Sequence, residues 1–480
     1  MKIALVHYDV DRIVNEPGNK TVMKHFGHMP NIQLLYVAAI LEQLDVETLY
    51  CDIVGMKLSD ADLKQQLLAF DPHIIAFSVY TSHFHQANSY AGYFKSLLPK
   101  VKILFGGVHM TIFPVETLKN SQHVDYGCVG EAEMVLPEFI RRLNANESLE
   151  GLPGLVWRHG EAIRFAGAAP RNQNLDAVPF PARHLIPNHV YFNFISTRRN
   201  YTVFNSSRGC PYPCIFCESA QTQWRARSAE NVVAEFEACY ENHGIREIDI
   251  FDSSFTVGKQ RVLDICRLLI AKGLHKKIIW NVRSTVKAMN DEMLEALREA
   301  GCYRIFYGIE SGNETILDAL RKPVKLERAE RIIKKTAAVG ISTFGYFVIG
   351  APGETPETAR ETIDFAKRLP LDFAIFNTLT AFPETELYKK HYLPHVQTDF
   401  WADYLTQPKP VTEFMGRPWT SMSDQDMARL CHNAMNEFYF RPHQLWRSLK
   451  SVRSLEQIKR YVHAGFDMLI QNTRLGRRLT

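Results

Sequence analysis

The residues with the clearest capacity for chemistry are three cysteines, Cys210, Cys214 and Cys217, in a C-x3-C-x2-C arrangement. Pro211 and Pro213 lie between the first two. Each proline removes a backbone donor and restricts the residue before it to extended conformations, so the segment is predicted to be a loop and not a helix. A loop allows the three thiols to converge on one object.

The ligand count separates two kinds of metal site. No fourth cysteine or histidine follows at close spacing, and His184 and Cys239 are more than twenty residues away. A structural zinc ion takes four protein ligands, whereas three thiolates suit an iron–sulfur cluster that leaves one iron open to a small molecule. The residues therefore favour a cluster. A zinc site completed from a distance and three unrelated thiols are the alternatives.

With Phe216 immediately before the last cysteine, the motif resembles the radical S-adenosylmethionine (radical SAM) superfamily. The resemblance implies that Cys210, Cys214 and Cys217 are the metal ligands of a 4Fe–4S cluster whose open iron chelates the amino and carboxylate groups of SAM. It also implies that the reduced cluster cleaves SAM to a 5′-deoxyadenosyl radical, and that Phe216 lies near the adenine.

Length, charge and cysteine content limit the class of protein. At 480 residues the chain is long enough for two or three domains, and a net charge of +4 predicts no nucleic-acid partner. No apolar run approaches the roughly twenty residues of a membrane span, and the apolar start, Met1 to Tyr8, is too short for a signal peptide and predicts a strand. The nine cysteines are odd in number, which favours a reducing cytoplasm over a disulfide framework.

Residues 1–145 alternate short apolar runs with amphipathic stretches, which predicts a Rossmann- or flavodoxin-like α/β domain with a parallel sheet. The predicted strands are Ile3–His7, Val46–Tyr50, His73–Val79, Val101–Phe105 and Val124–Cys128. The predicted helices are Gln33–Leu44, Leu58–Leu68, His85–Leu98 and Glu131–Leu143. Ligands of such sheets bind beyond the carboxyl ends of the strands.

Small and polar residues follow the last three of these strands. A "GG-x-H" turn at 106–109, followed by a "GEAE" turn at 130–133, resembles the cobalamin-binding domain found ahead of many radical SAM modules. The resemblance implies cobalamin contacts from Ser78, Thr81, Gly106, Gly107, His109, Gly130 and Glu131. The chain lacks the D-x-H-x-x-G motif by which other cobalamin proteins supply a histidine to cobalt, so that motif is not expected to fill the lower axial position. A retained but empty Rossmann-like domain is the alternative, because glycines are common in turns after strands.

The rest of the chain is predicted to have three parts. Residues 146–195 form a connector, rich in glycine and proline, with a small hairpin after Gly151. Residues 196–395 form a partial (β/α)6, TIM-like radical SAM barrel, and residues 396–480 form a small helical region that includes a helix at Ser423–Tyr439. The barrel strands are predicted at Thr202–Asn205, Glu247–Phe251, Ile278–Arg283, Tyr303–Ile309, Thr343–Ile349 and Phe373–Leu379. The cysteine loop follows the first of them, and the chemistry of such barrels lies at this carboxyl end.

Polar residues also follow the later barrel strands. The resemblance implies SAM contacts from Ser254, Arg283, Glu310, Ser311 and Gly350. Glu310 could accept from the SAM ammonium or ribose hydroxyls, and Ser311 could bond the carboxylate. The stretch at 345–354 matches the G-x-I-x-G-x-x-E pattern only loosely but closely fits the "GxPGET" form of the cobalamin branch. Taken singly, each of these polar residues is equally well explained as an ordinary cap at the end of a strand.

Two features near the end of the chain are open to more than one interpretation. Glu384 stands where the resembled family usually has glycine, either as a substrate contact or as a neutral change in a solvated turn. The basic C-terminal residues form either a solvated helical face or a contact with an acidic or membrane-borne substrate. These residues are Arg447, Lys450, Arg453, Lys459 and Arg460.

The resemblance as a whole implies a cobalamin-dependent radical SAM enzyme, similar to cobalamin-dependent C- and P-methylases and to the anaerobic magnesium-protoporphyrin ester cyclase. Methylation of an unactivated carbon in a small-molecule, lipid-like or tetrapyrrole-like substrate is the favoured expectation. Radical cyclisation without methyl transfer is the alternative, and a non-catalytic cobalamin or redox sensor is the alternative of another class. A flavodoxin or ferredoxin is the expected electron donor.

Overall fold

The computed structural model describes residues 1–8, 27–407, 416–451 and 457–463. Within these ranges the chain forms two compact units. The first contains residues 1–8, 28–190 and 399–407, and the second contains Gly27 and residues 191–398, 416–451 and 457–463. Arg453 and the side chain of Lys450, both assigned to the basic C-terminal face, lie outside the described residues. The division into four segments stays a prediction.

The first unit is built on a seven-stranded sheet. Its strands are β1 (Lys2–His7), β2 (Glu47–Asp52), β3 (Ile74–Ser78), β4 (Lys102–Gly106), β5 (Tyr126–Cys128), β6 (Leu155–His159) and β7 (Ala162–Phe165). Its helices up to residue 144 are α1 (Ile32–Gln43), α2 (Asp60–Phe70), α3 (Phe84–Leu97), α4 (Val108–Ile112), α5 (Pro114–Asn120) and α6 (Ala132–Asn144).

The strand order in this sheet is β2-β1-β3-β4-β5-β6-β7. The first five strands pair in parallel, which gives the flavodoxin-like arrangement predicted from the alternation of apolar and amphipathic runs. β6 and β7 form the predicted hairpin, and β6 pairs antiparallel with β5, so the hairpin extends the sheet. The carboxyl ends of β3, β4 and β5 are adjacent as a result.

The second unit contains a six-stranded sheet and a short two-stranded ribbon. The strands are β8 (Tyr201–Phe204), β9 (Ser207–Arg208), β10 (Arg225–Ala226), β11 (Glu247–Ile250), β12 (Ile279–Ser284), β13 (Cys302–Glu310), β14 (Ser342–Ile349) and β15 (Phe373–Thr378). The remaining helices are α7 (Ala229–His243), α8 (Lys259–Ala271), α9 (Asp291–Glu299), α10 (Glu314–Ala319), α11 (Leu326–Ala338), α12 (Pro356–Arg368), α13 (Phe400–Thr406), α14 (Asp424–Tyr439) and α15 (Pro442–Ser451). Of these, α13 belongs to the first unit.

The six-stranded sheet is entirely parallel and follows chain order, β8-β11-β12-β13-β14-β15. Helices between consecutive strands bury their apolar faces against it in one large core. β8 and β15 are the two edges, so the sheet is the predicted partial barrel. Helix α9 begins directly after Asn290, whose side chain accepts from the Met293 amide at 2.9 Å and caps the helix.

Helix α14 packs along the edge strand β15. The hydroxyl of Tyr439 accepts from the Ala374 amide at 3.1 Å and donates to the Ala374 carbonyl at 2.8 Å. One side chain thereby satisfies two backbone groups that an edge strand leaves unpaired. Across the described ranges, no helix is both long and apolar enough to cross a membrane.

Candidate active site

A cavity of about 260 Å³ lies in the second unit, between the cysteine loop and the carboxyl ends of β11 to β13. Three predicted cluster ligands and four predicted SAM contacts line it: Cys210, Cys214, Cys217, Phe216, Ser254, Arg283 and Glu310. The other lining residues are Tyr212, Asp252, Ser253, Ser284, Thr285, Phe306, Gly308, Lys322, Pro323 and Tyr346. The parallel sheet brings these residues together because all its strands end at one edge.

Hydrogen bonds fix the cysteine loop at its start. Thr222 accepts from the Cys210 amide through Oγ1 at 3.0 Å, and its own amide donates to the Cys210 carbonyl at 3.1 Å. Gly209 has a φ of +83°, and a Cβ atom there would lie 2.2 Å from the carbonyl oxygen of Gln223. Only glycine fits this turn without moving the backbone.

Asp252, which follows β11, holds the segment that enters the loop. Its Oδ1 accepts from the amides of Ser206 and Ser207 at 2.7 and 3.0 Å, and its Oδ2 accepts from their hydroxyls at 2.6 and 2.7 Å. The carboxylate is buried, and these four bonds compensate for its loss of hydration. Asp252 therefore positions the loop and has little capacity left to bind a ligand.

The thiols are chemically suited to a group larger than a single ion. Cys210 and Cys214 are buried, and none of the three cavity cysteines is part of a disulfide. Burial raises the pKa of Cys214 to about 11 and also raises that of Cys217. Among the described residues, no three His, Cys, Asp or Glu side chains surround a position for one metal ion. Three thiols around a common cavity fit a cluster better than the zinc alternative.

A buried ion pair, Glu310–Lys322, forms part of the cavity wall. Lys322 Nζ lies 2.8 Å from Glu310 Oε1, and the side chains are only 10% and 9% exposed. Burial alone would lower the pKa of Lys322, but Glu310 and Cys214 more than offset this and the pKa is raised. Lys322 belongs to no motif and was not predicted from the sequence. Its one sequence signal is its place next to Pro323, in the segment that follows the strand-end turn at Glu310.

The pair occupies space that a side chain at Gly308 would fill. A Cβ atom at Gly308 would lie 2.5 Å from Glu310 Oε1 and 2.8 Å from Lys322 Nζ. The register of β13 against β14 shifts between Gly308 and Glu310, and Glu310 itself has a φ of +71°. The strand end is therefore bent in a way that directs Glu310 at the cavity.

Arg283 is held by partners on the strand beside it. Its Nη1 lies 2.9 Å from Asp249 Oδ1, and its guanidinium lies 3.5 Å from the Phe251 ring centroid. Tyr201 donates to the same aspartate at 3.1 Å. The Arg283 charge is thus neutralised locally, and the residue lines the cavity as part of a fixed network.

The other predicted SAM contacts differ in their availability. The hydroxyl of Ser254 is buried and has no hydrogen-bond partner among the described residues, which leaves it available to a ligand. Ser311 and Gly350 are not among the residues that line the cavity. The Ser311 hydroxyl lies 2.9 Å from that of Thr362, and the Gly350 carbonyl accepts from Trp419 Nε1 at 2.7 Å.

Glu354 lies one position later than the acidic residue of the G-x-I-x-G-x-x-E pattern. Its side chain forms hydrogen bonds inside the turn that follows β14. Its Oε2 accepts from the amides of Gly350 and Ala351, while Oε1 is buried without a partner in the described part of the chain. Burial raises the pKa of Glu354 to about 7, and the two amide bonds oppose that rise. Gly350 is therefore part of a self-contained turn.

The seven predicted cobalamin contacts lie at one edge of the first unit's sheet. Ser78 pairs with Gly106 where β3 and β4 end, and Gly107 follows with a φ of +90°. A Cβ atom at Gly107 would lie 2.8 Å from both the amide nitrogen and the carbonyl oxygen of Val79. The glycine therefore lets two strand-end turns pack backbone against backbone.

His109 is enclosed within this edge. Its ring nitrogens lie 3.4 Å from the Thr81 hydroxyl and 3.0 Å from the Thr117 hydroxyl, and its ring stacks on Phe84 at 4.8 Å. The side chain is fully buried, and burial lowers its pKa to about 3. A neutral imidazole with both nitrogens near hydroxyls orders the turn and has no free nitrogen for a metal ion.

The turn after β5 completes the edge. The Gly130 amide donates to the Thr111 hydroxyl at 3.1 Å, and no atom lies within 4 Å of the position a Gly130 Cβ would take. Glu131 accepts from the Asn172 amide at 2.7 Å and so is tied to the following segment. Gly130 thus faces open space, whereas Glu131 has a structural partner.

Comparison with known proteins finds the same two modules. Residues 204–366 match the Radical SAM superfamily and residues 20–140 match the B12 binding domain. An uncharacterized methyltransferase of Pyrococcus horikoshii is 30% identical over 425 residues, which cover 88% of this chain and 90% of that protein. The chain belongs to the radical SAM superfamily, in the branch that carries a B12 binding domain.

Other relatives of this radical SAM enzyme agree in architecture. The anaerobic magnesium-protoporphyrin IX monomethyl ester cyclase of Cereibacter sphaeroides is 26% identical over 374 residues, which cover 76% of this chain and 60% of that one. The structure of TsrM, a radical SAM methyltransferase from Kitasatospora setae with cobalamin and a 4Fe–4S cluster bound, has a TM-score of 0.65 at 18% identity. That match covers 98% of this chain and 88% of TsrM, and it confirms the predicted fold class.

The radical SAM enzyme uses a 4Fe–4S cluster and SAM, and its B12 binding domain is a cobalamin domain. The residues of this chain fit those groups: three free thiols and an unpartnered Ser254 hydroxyl face one cavity, and Gly130 leaves open space at the edge of the other sheet. The expectation of these cofactors is therefore confirmed.

Proposed function

We propose that this radical SAM enzyme is a cobalamin-dependent methyltransferase that acts on an unactivated carbon of a small molecule. The observation that carries the proposal is the grouping of three free thiols with Ser254 and Glu310 in one cavity, in a chain that also contains a B12 binding domain. A relative that matches nearly its whole length is a methyltransferase, which favours methyl transfer over other radical chemistry.

Cys210, Cys214 and Cys217 are the proposed cluster ligands. Phe216 is placed to contact adenine, and Ser254 and Glu310 to bond the polar groups of SAM; Glu310 keeps one carboxylate oxygen apart from Lys322 for this purpose. Arg283 orients Phe251 and Phe306 around the cavity and contacts SAM only from its exposed edge. Ser311 and Gly350 act behind the wall, through the Thr362 and Glu354 contacts.

Cobalamin is proposed to lie against the edge formed by Ser78, Thr81, Gly106, Gly107 and Gly130. His109 and Glu131 hold that edge in shape and do not reach the ligand, because their polar atoms already have protein partners. His109 would then not act as a ligand of cobalt, because both its ring nitrogens lie near hydroxyl groups. When bound, the cluster, SAM and cobalamin would supply the radical and methyl chemistry; the protein supplies binding, orientation and exclusion of water.

Within the cavity, this chain's residues perform three tasks. Asp252 and Thr222 fix the loop so that the thiols keep their spacing, which is a positioning role. The aromatic rings of Phe306 and Tyr346 remove water from the wall. The Glu310–Lys322 pair offers both charges to a zwitterionic methionine group.

The finer assignments of partner and location are also proposals. The reductant is proposed to be a flavodoxin or ferredoxin, since a radical SAM enzyme needs a low-potential electron. Nine cysteines without a disulfide among them favour a reducing compartment, the cytoplasm. The proposed substrate is a small molecule, a class that includes lipid-like and tetrapyrrole-like compounds.

Anaerobic reconstitution with iron, sulfide and cobalamin, followed by incubation with dithionite and SAM that carries a deuterated methyl group, tests the proposal. We expect 5′-deoxyadenosine and deuterium in the corrinoid fraction, and neither in Cys214→Ala. The Cys239→Ala variant is the matched control, because Cys239 is a buried thiol of α7 outside the cavity. If a fully loaded protein formed no 5′-deoxyadenosine, the proposal would fail and the non-catalytic sensor would be the remaining alternative. 5′-Deoxyadenosine without label in the corrinoid would favour the cyclase-like alternative, which one relative suggests.

A further inference from the structure

The Glu310–Lys322 pair is more than an ordinary surface salt bridge. Lys322 follows the short helix α10, and its amide donates to the Leu317 carbonyl at 2.8 Å, so the backbone fixes where the side chain begins. The amide of Ile215, inside the cysteine loop, donates to the Leu320 carbonyl at 3.2 Å. The segment that carries Lys322 is thus joined to the loop that carries the thiols.

The fold accepts several unfavourable features to keep this pair. A buried ion pair is often no more stable than apolar residues of the same size. Glu310 has a left-handed backbone, β13 departs from regular register before it, and a Cβ atom at Gly308 would displace both charged groups. Such features at one place indicate a functional role for the charges and not a contribution to stability.

The other charged groups of the cavity already have partners. Arg283 is paired with Asp249, and Asp252 accepts four hydrogen bonds from Ser206 and Ser207. Among the described residues that line the cavity, Lys322 is the remaining cation. Three ligating thiolates would add negative charge to the same enclosed space.

We propose that Lys322 raises the reduction potential of the cluster held by Cys210, Cys214 and Cys217, and that Glu310 limits this effect by partly neutralising the ammonium group. Reduction adds one electron to the cluster and therefore increases the negative charge in the cavity. A fixed cation at low dielectric stabilises that added charge, so the reduced state becomes easier to reach. The inference rests on the proposed role of the three cysteines.

A redox titration of the full chain, reconstituted without SAM and followed by electron paramagnetic resonance, measures this directly. At one fixed solution potential near the wild-type midpoint, Lys322→Gln should lower the ratio of reduced to oxidised cluster about tenfold, equivalent to about 59 mV for one electron. Glu310→Gln should move the ratio in the opposite direction, and Lys322→Arg should stay close to wild type because the charge is kept.

Lys325→Gln is the matched control, because Lys325 is an exposed lysine three residues on that pairs with Glu314. This substitution removes the same formal charge without altering the cavity, so the midpoint potential of the cluster should stay at the wild-type value. Iron and sulfide content are measured on every sample. Loaded Lys322→Gln protein with an unchanged midpoint would overturn the inference and leave the proposed function standing, whereas loss of iron from Cys214→Ala is the separate test of the cluster ligands. A wild-type midpoint together with weakened SAM binding would also overturn it, and would assign Lys322 to SAM alone.

Discussion

Gly209 shows at the scale of one residue how the cysteine loop depends on backbone space. A Cβ atom there would lie 2.2 Å from the backbone carbonyl oxygen of Gln223, and backbone cannot move aside as the end of a side chain can. The positive φ adds a second cost for any other residue. The first cysteine of the motif therefore stands directly after a position with no tolerance for substitution.

We expect Gly209→Ala to lose most of its reconstituted iron and to be destabilised by about 2 to 4 kcal/mol, from left-handed strain and a backbone clash together. Gly273→Ala is the control, because Gly273 also has a positive φ but no atom within 4 Å of its Cβ position. Iron analysis and urea unfolding measure both effects. Equal iron content in the two variants would contradict a steric requirement at the loop.

Single residues were predictable from sequence where a strand end or a motif marked them. The cysteines, Phe216, Ser254, Arg283 and Glu310 could be placed near one another because parallel strands end at a common edge. Lys322 could not, since its burial depends on the bend at Gly308 and on a helix that brings it back. Glu384 has a φ of +69°, which explains why glycine suits this turn and gives no support to a substrate contact.

At the scale of elements, α14 replaces a missing strand at one edge of the partial barrel. Tyr439 bonds both backbone groups of Ala374, and Gln444 donates to the Asp372 carbonyl at 2.6 Å from the next helix. A helix that covers an edge strand prevents pairing with another chain. Tyr439, the last residue of α14, thus has a structural role.

Tyr439→Phe should therefore lower the free energy of unfolding by about 1 to 3 kcal/mol, because two buried backbone groups lose their partner while the ring still fills its place. Equilibrium unfolding in urea measures the change. Tyr93→Phe is the comparison, since Tyr93 is an exposed residue of α3 in the other unit. A loss in Tyr439→Phe no larger than in Tyr93→Phe would show that the hydroxyl contributes nothing to the edge.

Element type and order were predictable, but pairing was only partly so. Apolar runs gave strands and helices within a few residues of those observed; the predicted helix Gln33–Leu44, for example, is observed as Ile32–Gln43. The antiparallel addition of β6 and β7 to the first sheet was not predicted, because it depends on contacts with β5 that local sequence does not specify. The covering of β15 by α14 is non-local for the same reason.

At the scale of the whole molecule, Glu354 makes stability depend on pH. Burial raises its pKa from 4.5 to about 7, so the folded chain binds this proton more tightly than the unfolded chain. The stability that protonated Glu354 contributes is complete below about pH 4.5 and is lost as the pH rises through about 7. A shift of this size corresponds to about 3 kcal/mol.

We expect the stability difference between wild type and Glu354→Gln to change by about 2 to 3 kcal/mol between pH 5 and 8, with wild type losing more as pH rises. Subtracting the variant removes the titration of all other groups. Urea unfolding at several pH values provides the measurement. A difference that stays constant, or that grows in favour of wild type at high pH, would contradict a protonated Glu354 in the folded state.

Cobalamin binding by the first unit should also be visible as a change in the stability of the protein. If cobalamin lies on the edge formed by Ser78, Gly106 and Gly107, it binds the folded chain and not the unfolded one. Hydroxocobalamin at a hundred times its dissociation constant should then add about 2.7 kcal/mol to the free energy of unfolding. Gly107→Ala should abolish this increment, because its Cβ would push the β3 and β4 turns apart at Val79. Gly160→Ala, in the β6–β7 hairpin with a positive φ and open space around it, should keep the increment. The increment is measured within each variant by unfolding with and without the ligand, so the intrinsic cost of each substitution cancels. A Gly107→Ala protein that gains as much as Gly160→Ala would place cobalamin elsewhere on the molecule.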